Sequence, residues 1–290
     1  VVTIAAAVLV ASCGAAPGRE AGATAPPLTA VNPYGSDPAA DGPPQRGGTL
    51  VMGTTAEAAS FDPTVLNGNS AASAVYDSLM RMTPDGGVEP YMAQSMDSQD
   101  GGRTWTLRLR PGVRFHDGTD LDADAVIVNV QRHIDKPTSP GHGGAMMIRS
   151  MRAVDPLTVE FTLVEPVSEF SMLFALSFTE GALGMIVSPA ALQRYGDDIG
   201  SHPVGAGPFK LVEWVRDSRT VLVRNDDYWQ PDLPHLDGLE FRPLPDTESR
   251  YASVQNGDVD LIFAGYNQEL VRALEDPNLE VYYGPGDGGE

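Results

Sequence analysis

The chain has 290 residues, 42% of them hydrophobic, which is enough for one large domain or two modest ones with real cores. Its 19 Lys and Arg face 39 Asp and Glu, and the net charge of −20 argues against binding to nucleic acid or to an acidic membrane surface. The single cysteine, Cys13, excludes an intrachain disulfide and any multi-cysteine zinc or iron–sulfur site.

The N-terminal segment, residues 1–12, contains no charged residue and has the length of the apolar part of a secretory signal. Val10, Ala11 and Ser12 stand before Cys13, an arrangement that resembles the lipobox of bacterial lipoprotein signals. It predicts cleavage before Cys13 and a lipid on its sulfur; the alternative is a plain signal peptide or Ala-rich tail with an unmodified cysteine. Residues 14–46 hold seven prolines and no hydrophobic period, so we expect a disordered tether.

Ordered structure is predicted from residue 49 onward. Residues 49–54 are predicted to form a buried strand, and apolar residues at helical spacing predict a helix in 71–82. Strict alternation predicts a half-buried strand at 105–110, with 113–118 as its hairpin partner. Residues 120–134 begin with acidic residues and continue with one apolar face, which is typical of an amphipathic helix.

The second half of the chain mixes both kinds of element. Strands are predicted at 149–154, 158–164, 209–215, 219–224, 239–243 and 259–263, and helices at 169–178, 189–195 and 247–255. Turns are predicted at Asp155-Pro156 and Asp217-Ser218. Because the strands and helices do not alternate strictly, the predicted fold class is α/β, of the mixed α+β kind.

Motifs for catalysis and metal binding are absent from the sequence. It contains neither G-x-S-x-G nor H-E-x-x-H, and its five histidines are scattered. Gly205-Ala-Gly207 resembles the start of a dinucleotide loop, but Lys210 stands where the third glycine would be required. Asp120, Asp122 and Asp124 would splay apart at the start of a helix, so a solvated helix cap is favoured over a metal site. We therefore expect no enzyme, no metal and no cofactor.

Seven short motifs occur in a characteristic order. They are S-F-D-P at 60–63, V-Y-D-S-L at 75–79, D-G-G-R-T-W-T-L-R-L-R-P-G-V-R-F-H-D-G-T at 100–119, A-D-A-V at 123–126, P-V-G-A-G-P-F at 203–209, R-N-D-D-Y-W at 224–229 and N-G-D-V-D at 256–260. Together they resemble the family 5 solute-binding proteins of ABC importers, which carry oligopeptides, dipeptides and nickel. The resemblance covers about residues 47–283.

The resemblance implies a periplasmic-binding-protein-like fold of type II. Lobe I would consist of residues 47–75 and 200–283, and a small inserted domain of residues 76–199. The family's second lobe would start at residues 284–290 and is missing from this sequence. The resemblance therefore implies a C-terminally truncated chain, without the acidic residue that commonly pairs with a peptide's amino group.

In the family the ligand lies between the two lobes, which implies binding residues in two loops of lobe I. After the Phe-Asp-Pro turn these are Asn67 and Asn69; after Asp260 they are Phe263 and Tyr266. The alternatives are loop-stabilising turns for the asparagines and plain core packing for the aromatic residues. Trp105 and Trp229 are predicted to be core anchors.

The expected function is that of a substrate-binding component of an ABC importer, which captures peptides or similar solutes for an ABC permease. Cys13 would anchor it by lipid to the extracytoplasmic face of the cell membrane. We expect a monomer that binds no nucleic acid. Two alternatives stay open: a truncated sensory or interaction module on the same fold, and an extracellular hydrolase.

Overall fold

Two larger β-sheets and the helices around them organise the chain. The computed structural model describes residues 42–65, 71–83, 86–176, 182–263 and 268–281. The predicted signal segment, most of the tether, residues 284–290 and four predicted site residues lie outside these ranges: Cys13, Asn67, Asn69 and Tyr266. Within the described ranges, no helix combines the length and apolar character needed to cross a membrane.

The elements follow one another in mixed order. The strands are β1 (Thr49–Thr54), β2 (Met80–Met82), β3 (Val88–Pro90), β4 (Ala93–Ser98), β5 (Thr104–Leu109), β6 (Ile148–Asp155), β7 (Thr158–Leu163), β8 (Phe209–Val215), β9 (Arg219–Arg224), β10 (Gly238–Pro243) and β11 (Leu261–Ile262). The helices are α1 (Ala72–Val75), α2 (Ala123–Asp135), α3 (His142–Ala145), α4 (Pro189–Tyr195), α5 (Thr247–Gln255) and α6 (Gln268–Glu275), with 3-10 helices at Phe170–Phe174 and Gly196–Ser201.

The five-stranded sheet has the order β11-β1-β10-β9-β8. β1 runs parallel to β10 and β11, whereas β9 runs antiparallel to both β10 and β8. Consequently β1, β8, β10 and β11 all point the same way. Their carboxyl ends meet at one border of the sheet, which we call the carboxyl edge: residues 54–59, 214–216, 244–246 and 263.

The four-stranded sheet is antiparallel, in the order β4-β5-β7-β6. Along β5 the residues Trp105, Leu107 and Leu109 are buried, which confirms the alternation predicted from the sequence. β7 alternates in the same way. Helix α2 covers this sheet with its apolar face, and the Asp122 side chain caps its start by accepting the Ala125 N–H at 2.8 Å.

Two chain segments that run between the two sheets lie in direct contact, one at Val75 and the other at Gly205 to Gly207. The amide of Gly207 donates to the Val75 carbonyl at 2.9 Å. A Cβ atom on Gly205 would lie 2.2 Å from the Val75 oxygen, and one on Gly207 would lie 2.6 Å from it. Glycine is therefore required at both positions, because any side chain would push the two segments apart.

A buried carboxylate fastens the same junction. Asp77 Oδ2 accepts the Tyr228 hydroxyl at 2.7 Å and the Trp229 Nε1–H at 2.8 Å. The Tyr228 hydroxyl also lies 3.0 Å from the Tyr91 hydroxyl, and Gln230 donates to both tyrosines. Burial raises the pKa of Asp77 to about 6, against the opposing effect of these donors. The loop after β9 is thereby tied to the segments that precede β2 and β4.

Most predicted elements are confirmed. Those at 49–54, 189–195, 209–215, 219–224 and 247–255 have the bounds observed for β1, α4, β8, β9 and α5. The hairpin around Asp155-Pro156 and the helix that starts after Asp122 are present as well. β1 is half-buried along most of its length rather than fully buried.

Three predictions about elements are wrong. The helix predicted for 71–82 is confined to Ala72–Val75, because Val75 and Leu79 pack into two different cores. Residues 113–118 do not pair with β5, since β4 and β7 occupy both of its sides. Within 169–178, only Phe170–Phe174 is helical, as a 3-10 helix, and residues 177 and 178 lie outside the described ranges.

Among the described residues, the buried hydrophobic side chains form two clusters. One lies between the four-stranded sheet and α2, and the other lies against the five-stranded sheet. The second cluster includes Met185, Val187 and Ala191, together with Phe209 and Phe241. It thus combines side chains from both sides of residue 199, where the sequence predicts the inserted domain to end; the domain limits stay a prediction.

Candidate functional site

The carboxyl edge of the five-stranded sheet is the candidate site. In open sheets of this kind, ligands bind at the carboxyl ends of parallel strands, where loops diverge and leave a crevice. The register of β1 against β10 pairs Thr54 with Pro243, so both strands end at the same level. The amide of Leu244 then donates to the Thr54 carbonyl at 2.8 Å, which holds the two exits side by side.

Phe263 is the predicted site residue that the structure describes. It follows β11 directly at the carboxyl edge, and 56% of its surface is exposed. Core packing therefore does not account for this aromatic ring. An exposed aromatic side chain at a strand exit is suited to contact with an apolar part of a ligand.

The N-G-D-V-D motif explains how Phe263 reaches this position. The Asp260 carboxylate accepts the Val51 amide at 2.8 Å, and the Asp260 amide donates to the Val51 carbonyl at 2.8 Å. Asp260 thereby extends the pairing of the short strand β11 along β1. The motif is structural, and its consequence is that Phe263 leaves the sheet at the carboxyl edge.

The other predicted contacts belong to segments that adjoin described residues. Asn67 and Asn69 follow Val65, and Tyr266 follows Phe263; all three lie outside the described residues. They stay predictions.

The turn that precedes Asn67 is held by polar contacts to Arg132, in the last turn of α2, and to Lys136, the residue that follows this helix. Arg132 Nη2 lies 2.9 Å from each carboxylate oxygen of Asp62, and Lys136 Nζ donates to Thr64 Oγ1 at 3.0 Å. Within the turn, the Thr64 amide donates to Asp62 Oδ1 at 3.0 Å. Burial alone would raise the pKa of Asp62, but the Arg132 charge and the Thr64 donors hold it below its ordinary value. Asp62 is therefore an ionised, paired carboxylate at neutral pH.

A second set of contacts at the carboxyl edge was not anticipated from the sequence. Trp214 Nε1 donates to Glu57 Oε1 at 3.1 Å, and the Arg216 guanidinium covers the Trp214 ring at 3.6 Å from its centroid. Arg216 also donates to the carbonyls of Ala58 and Ala59, at 3.1 and 3.3 Å. Together they fasten the loop after β1 to the end of β8. Only the orientation of β8, which is a property of the whole sheet, brings Trp214 to this place.

The remaining two tryptophans lie away from the carboxyl edge. Trp105 is buried, and its Nε1–H lies 3.1 Å from the Gly102 carbonyl and 3.2 Å from that of Val167. Trp229 is partly buried against the core of the four-stranded sheet and bonds to Asp77. The predicted structural role of both residues agrees with these contacts.

Across the part of the chain that the structure describes, no group of three or more His, Cys, Asp or Glu side chains could hold a metal ion. Asp122 caps α2, as predicted, and Asp120 pairs with Arg114 at 3.3 Å.

Comparison with known proteins identifies the family. Residues 87–290 match the family model described as bacterial extracellular solute-binding proteins, family 5 Middle. The chain belongs to this family. Its motifs at 100–119, 123–126, 203–209, 224–229 and 256–260 all fall within the matched range.

Related sequences and structures agree with this assignment. The chain is 33% identical over 217 residues to the glutathione-binding protein GsiB of Escherichia coli K12, a match that covers 74% of this chain and 41% of the relative. It is similar to DppA from Helicobacter pylori, solved with the peptide STSA (TM-score 0.71, 29% identity, 81% of this chain and 50% of that one). It is also similar to AgaA from A. tumefaciens R10, solved with agropinic acid (TM-score 0.72, 28% identity, 79% and 46%).

These matches confirm the mixed α/β fold class, and the fold is that of type II periplasmic binding proteins. The chain spans about 41% of the length of GsiB and half of that of DppA. The relatives are binding proteins, not enzymes.

Proposed function

We propose that this chain captures a peptide or a similar small solute at its carboxyl edge, for uptake by an ABC permease. The observation that carries the proposal is the exposed Phe263 ring, which stands beside the exits of the parallel strands in a protein of the family 5 fold. Glutathione, a tetrapeptide and agropinic acid, which the relatives bind, are all small solutes with several polar groups.

The proposed contacts divide the recognition between amides and aromatic rings. Asn67 and Asn69 each offer one acceptor and two donors, which suits the carbonyl and amide groups of a peptide. Phe263 and Tyr266 offer apolar surface to the rest of the solute. A few oriented polar groups within a mainly apolar lining are the usual composition of a small-molecule site.

A binding experiment without turnover tests the proposal. Glutathione and the peptide Ser-Thr-Ser-Ala are each mixed with the 290-residue chain, and saturation-transfer NMR detects binding up to millimolar dissociation constants. We expect saturable binding of at least one probe, with the probe recovered intact. Hydrolysis of the probe would support the alternative of an extracellular hydrolase and contradict the proposal.

Variants at matched surface positions locate the contact. Phe263→Ala should weaken binding, whereas Val271→Ala on α6, which removes an equally exposed apolar side chain at 56%, should leave it unchanged. Equal affinity of wild type and Phe263→Ala would place the solute elsewhere.

We further propose that Cys13 is the lipid anchor that holds the protein on the extracytoplasmic face of the cell membrane. Two acyl chains on one residue retain a protein at a membrane much better than one chain. Cys13→Ala should release the protein into the medium, and Ser12→Ala, which keeps a small residue before the cysteine, should not. Unchanged membrane fractionation of Cys13→Ala would contradict the lipobox interpretation.

Uptake separates the import role from a sensory or interaction module on the same fold. Loss of uptake of the bound solute in a strain that lacks the gene, restored by the wild-type gene, supports delivery to a permease. Normal uptake in that strain would support the alternative.

A further inference from the structure

Arg216 is the positively charged residue of the carboxyl edge, and 54% of its side chain is exposed. Its Nη1 nitrogen donates to the carbonyls of Ala58 and Ala59, at 3.1 and 3.3 Å, so both hydrogens of that nitrogen are used. Within the described ranges, no acceptor bonds to its Nε–H or to its Nη2 hydrogens. One side of the guanidinium group is therefore open to an acceptor from outside these ranges.

This open side has the geometry that binds a carboxylate. The Nε–H and one Nη2–H of an arginine point in parallel and match the two oxygens of a carboxylate, which gives paired, charge-assisted hydrogen bonds. Arg219, on the same hairpin, shows this arrangement: its Nε and Nη2 lie 3.0 and 3.1 Å from the two oxygens of Glu213. Arg216 differs from Arg219 in that no carboxylate of the described residues bonds to this side.

The guanidinium group of Arg216 is held in a fixed orientation. It lies 3.6 Å from the centroid of the Trp214 ring. The ring is itself fixed by its bond to Glu57 and by an edge contact with the buried Phe61, at 5.0 Å between centroids. A cation that is already ordered on an aromatic face loses little conformational entropy when it binds a ligand.

Nearby acidic groups are bonded elsewhere. Glu57 lies 3.9 Å from Nη1 of Arg216, the nitrogen that already bonds to two carbonyls, and its Oε1 accepts from Trp214. Asp246 accepts from the Ser249 amide at 2.9 Å. Since the chain carries a net charge of −20, it repels an anionic solute unless a local cation compensates. Arg216 supplies that cation at the carboxyl edge.

We propose that Arg216 binds a carboxylate of the solute through Nε and Nη2. This inference rests on the proposed function and makes it more specific: the solutes are peptides with a free carboxyl terminus or similar organic carboxylates. Phe263 follows β11 and Arg216 follows β8, which are the two outer strands of the five-stranded sheet. The apolar part of the solute and its carboxylate therefore bind at different ends of the carboxyl edge.

The length of this edge suits a short peptide. With an interstrand spacing of about 4.8 Å, the ends of β11 and β8 lie about 19 Å apart. The Arg216 side chain reaches back from β8 to the loop after β1, where it bonds to Ala58 and Ala59. An extended peptide of roughly four to six residues spans about 13–22 Å, so one peptide can contact Phe263 and Arg216 together.

The peptide Ser-Thr-Ser-Ala with a free or an amidated carboxyl terminus tests the inference. Dissociation constants of both forms are measured by NMR titration for the wild-type 290-residue chain, Arg216→Gln, Arg216→Lys and Arg219→Gln. Arg219→Gln is the matched control, because Glu213 already occupies the Nε and Nη2 of Arg219. The ratio of the two constants reports on the carboxylate alone, since a loosened loop after β1 would weaken both forms equally.

We expect the wild type to bind the free acid at least about tenfold more tightly than the amide. Arg216→Gln should reduce this ratio to about one, and Arg219→Gln should leave it unchanged. Arg216→Lys should give an intermediate ratio, because an ammonium group cannot form the paired bonds. A ratio near one in the wild type, or an unchanged ratio in Arg216→Gln, would overturn the inference.

A measurement without peptide separates this inference from the proposed function. Sodium acetate or, at equal concentration, sodium chloride is added to the chain with isotope-labelled arginine, and the Nε–H resonances are followed by NMR. We expect acetate to shift the Arg216 resonance more than chloride does, and the Arg219 resonance to respond equally to both salts. The same response from both arginines would overturn the inference. If Arg216 bound acetate but the chain bound neither form of the peptide, the proposed function would fail for this peptide and the carboxylate site would stand.

Discussion

The core of the four-stranded sheet and the carboxyl edge of the five-stranded sheet are built in opposite ways. In the core, Phe161, Phe170 and Phe174 are fully buried, and their rings pack against one another with centroid distances of 5.4 to 5.7 Å. At the carboxyl edge, Phe263 is exposed and the nearby loops are held by polar contacts such as Trp214–Glu57. Substitutions in the first region should therefore reduce stability, and those in the second should reduce binding.

The largest effect on stability is expected for Trp105→Ala. The ring is buried and its Nε1–H bonds to backbone carbonyls, so truncation leaves a cavity and removes a donor from the Val167 carbonyl. The free energy of unfolding should fall by about 3–5 kcal/mol in urea titrations. Unchanged stability with weakened solute binding would move Trp105 from the core into the site.

Gly205→Ala should be the next most damaging substitution. The new methyl group would lie 2.2 Å from the Val75 carbonyl oxygen, so the two chain segments must separate. We expect a loss of about 1–3 kcal/mol in the free energy of unfolding. Gly143→Ala is the control, because a Cβ atom there meets nothing within 4 Å. Equal stability of the two variants would show that the two segments are not in firm contact.

Asp77 should make the stability of the junction depend on pH. Burial raises its pKa from 3.8 to about 6, so the folded state binds this proton more tightly than the unfolded state. The favourable contribution is complete below pH 3.8 and is lost as the pH rises through 6. Relative to Asp77→Asn, the wild type should lose about 1–3 kcal/mol of stability between pH 4 and about 6.5.

The comparison with Asp77→Asn isolates this carboxyl from others that respond oppositely. The pKa of Asp62, for example, is lowered, so its contribution is lost toward low pH in both proteins. An asparagine oxygen can still accept from Tyr228 and Trp229. A pH-independent difference between the two proteins would mean that Asp77 is not desolvated as the structure indicates.

The smallest effect on stability is expected for Phe263→Ala. Because 56% of the residue is already exposed, the free energy of unfolding should change by less than about 0.5 kcal/mol. The same variant should weaken solute binding. A loss comparable to that of Trp105→Ala would identify Phe263 as a core residue in solution.

Local patterns in the sequence predict the core region well. The alternation from Trp105 to Leu109 and the Asp155-Pro156 turn are set by neighbouring residues, and both are observed. The prediction of a helix fails where apolar residues close together in the sequence pack into different hydrophobic cores. Val75 and Leu79 have the spacing of one helical face, but their side chains pack into separate clusters.

The site is less accessible to sequence reasoning. The carboxyl edge depends on the parallel pairing of β1 with β10, which joins Thr54 to Pro243 across most of the chain. No local sequence pattern predicts this parallel pairing, so the sequence did not predict that Trp214 and Arg216 lie at the carboxyl edge. Arg132 was missed because it lies off the apolar face of α2, where a solvated charge is the ordinary expectation. Phe263 was found through family resemblance, not through its spacing.

Photocrosslinking tests the central claim, solute binding at the carboxyl edge, most directly. A Ser-Thr-Ser-Ala analogue with a benzophenone side chain is irradiated with the 290-residue chain, and the adducts are located by mass spectrometry with excess unlabelled peptide as competitor. We predict competed adducts within residues 54–70, 214–216 and 244–266. Competed adducts concentrated in residues 93–163, the strands of the four-stranded sheet and the helices between them, would contradict the account.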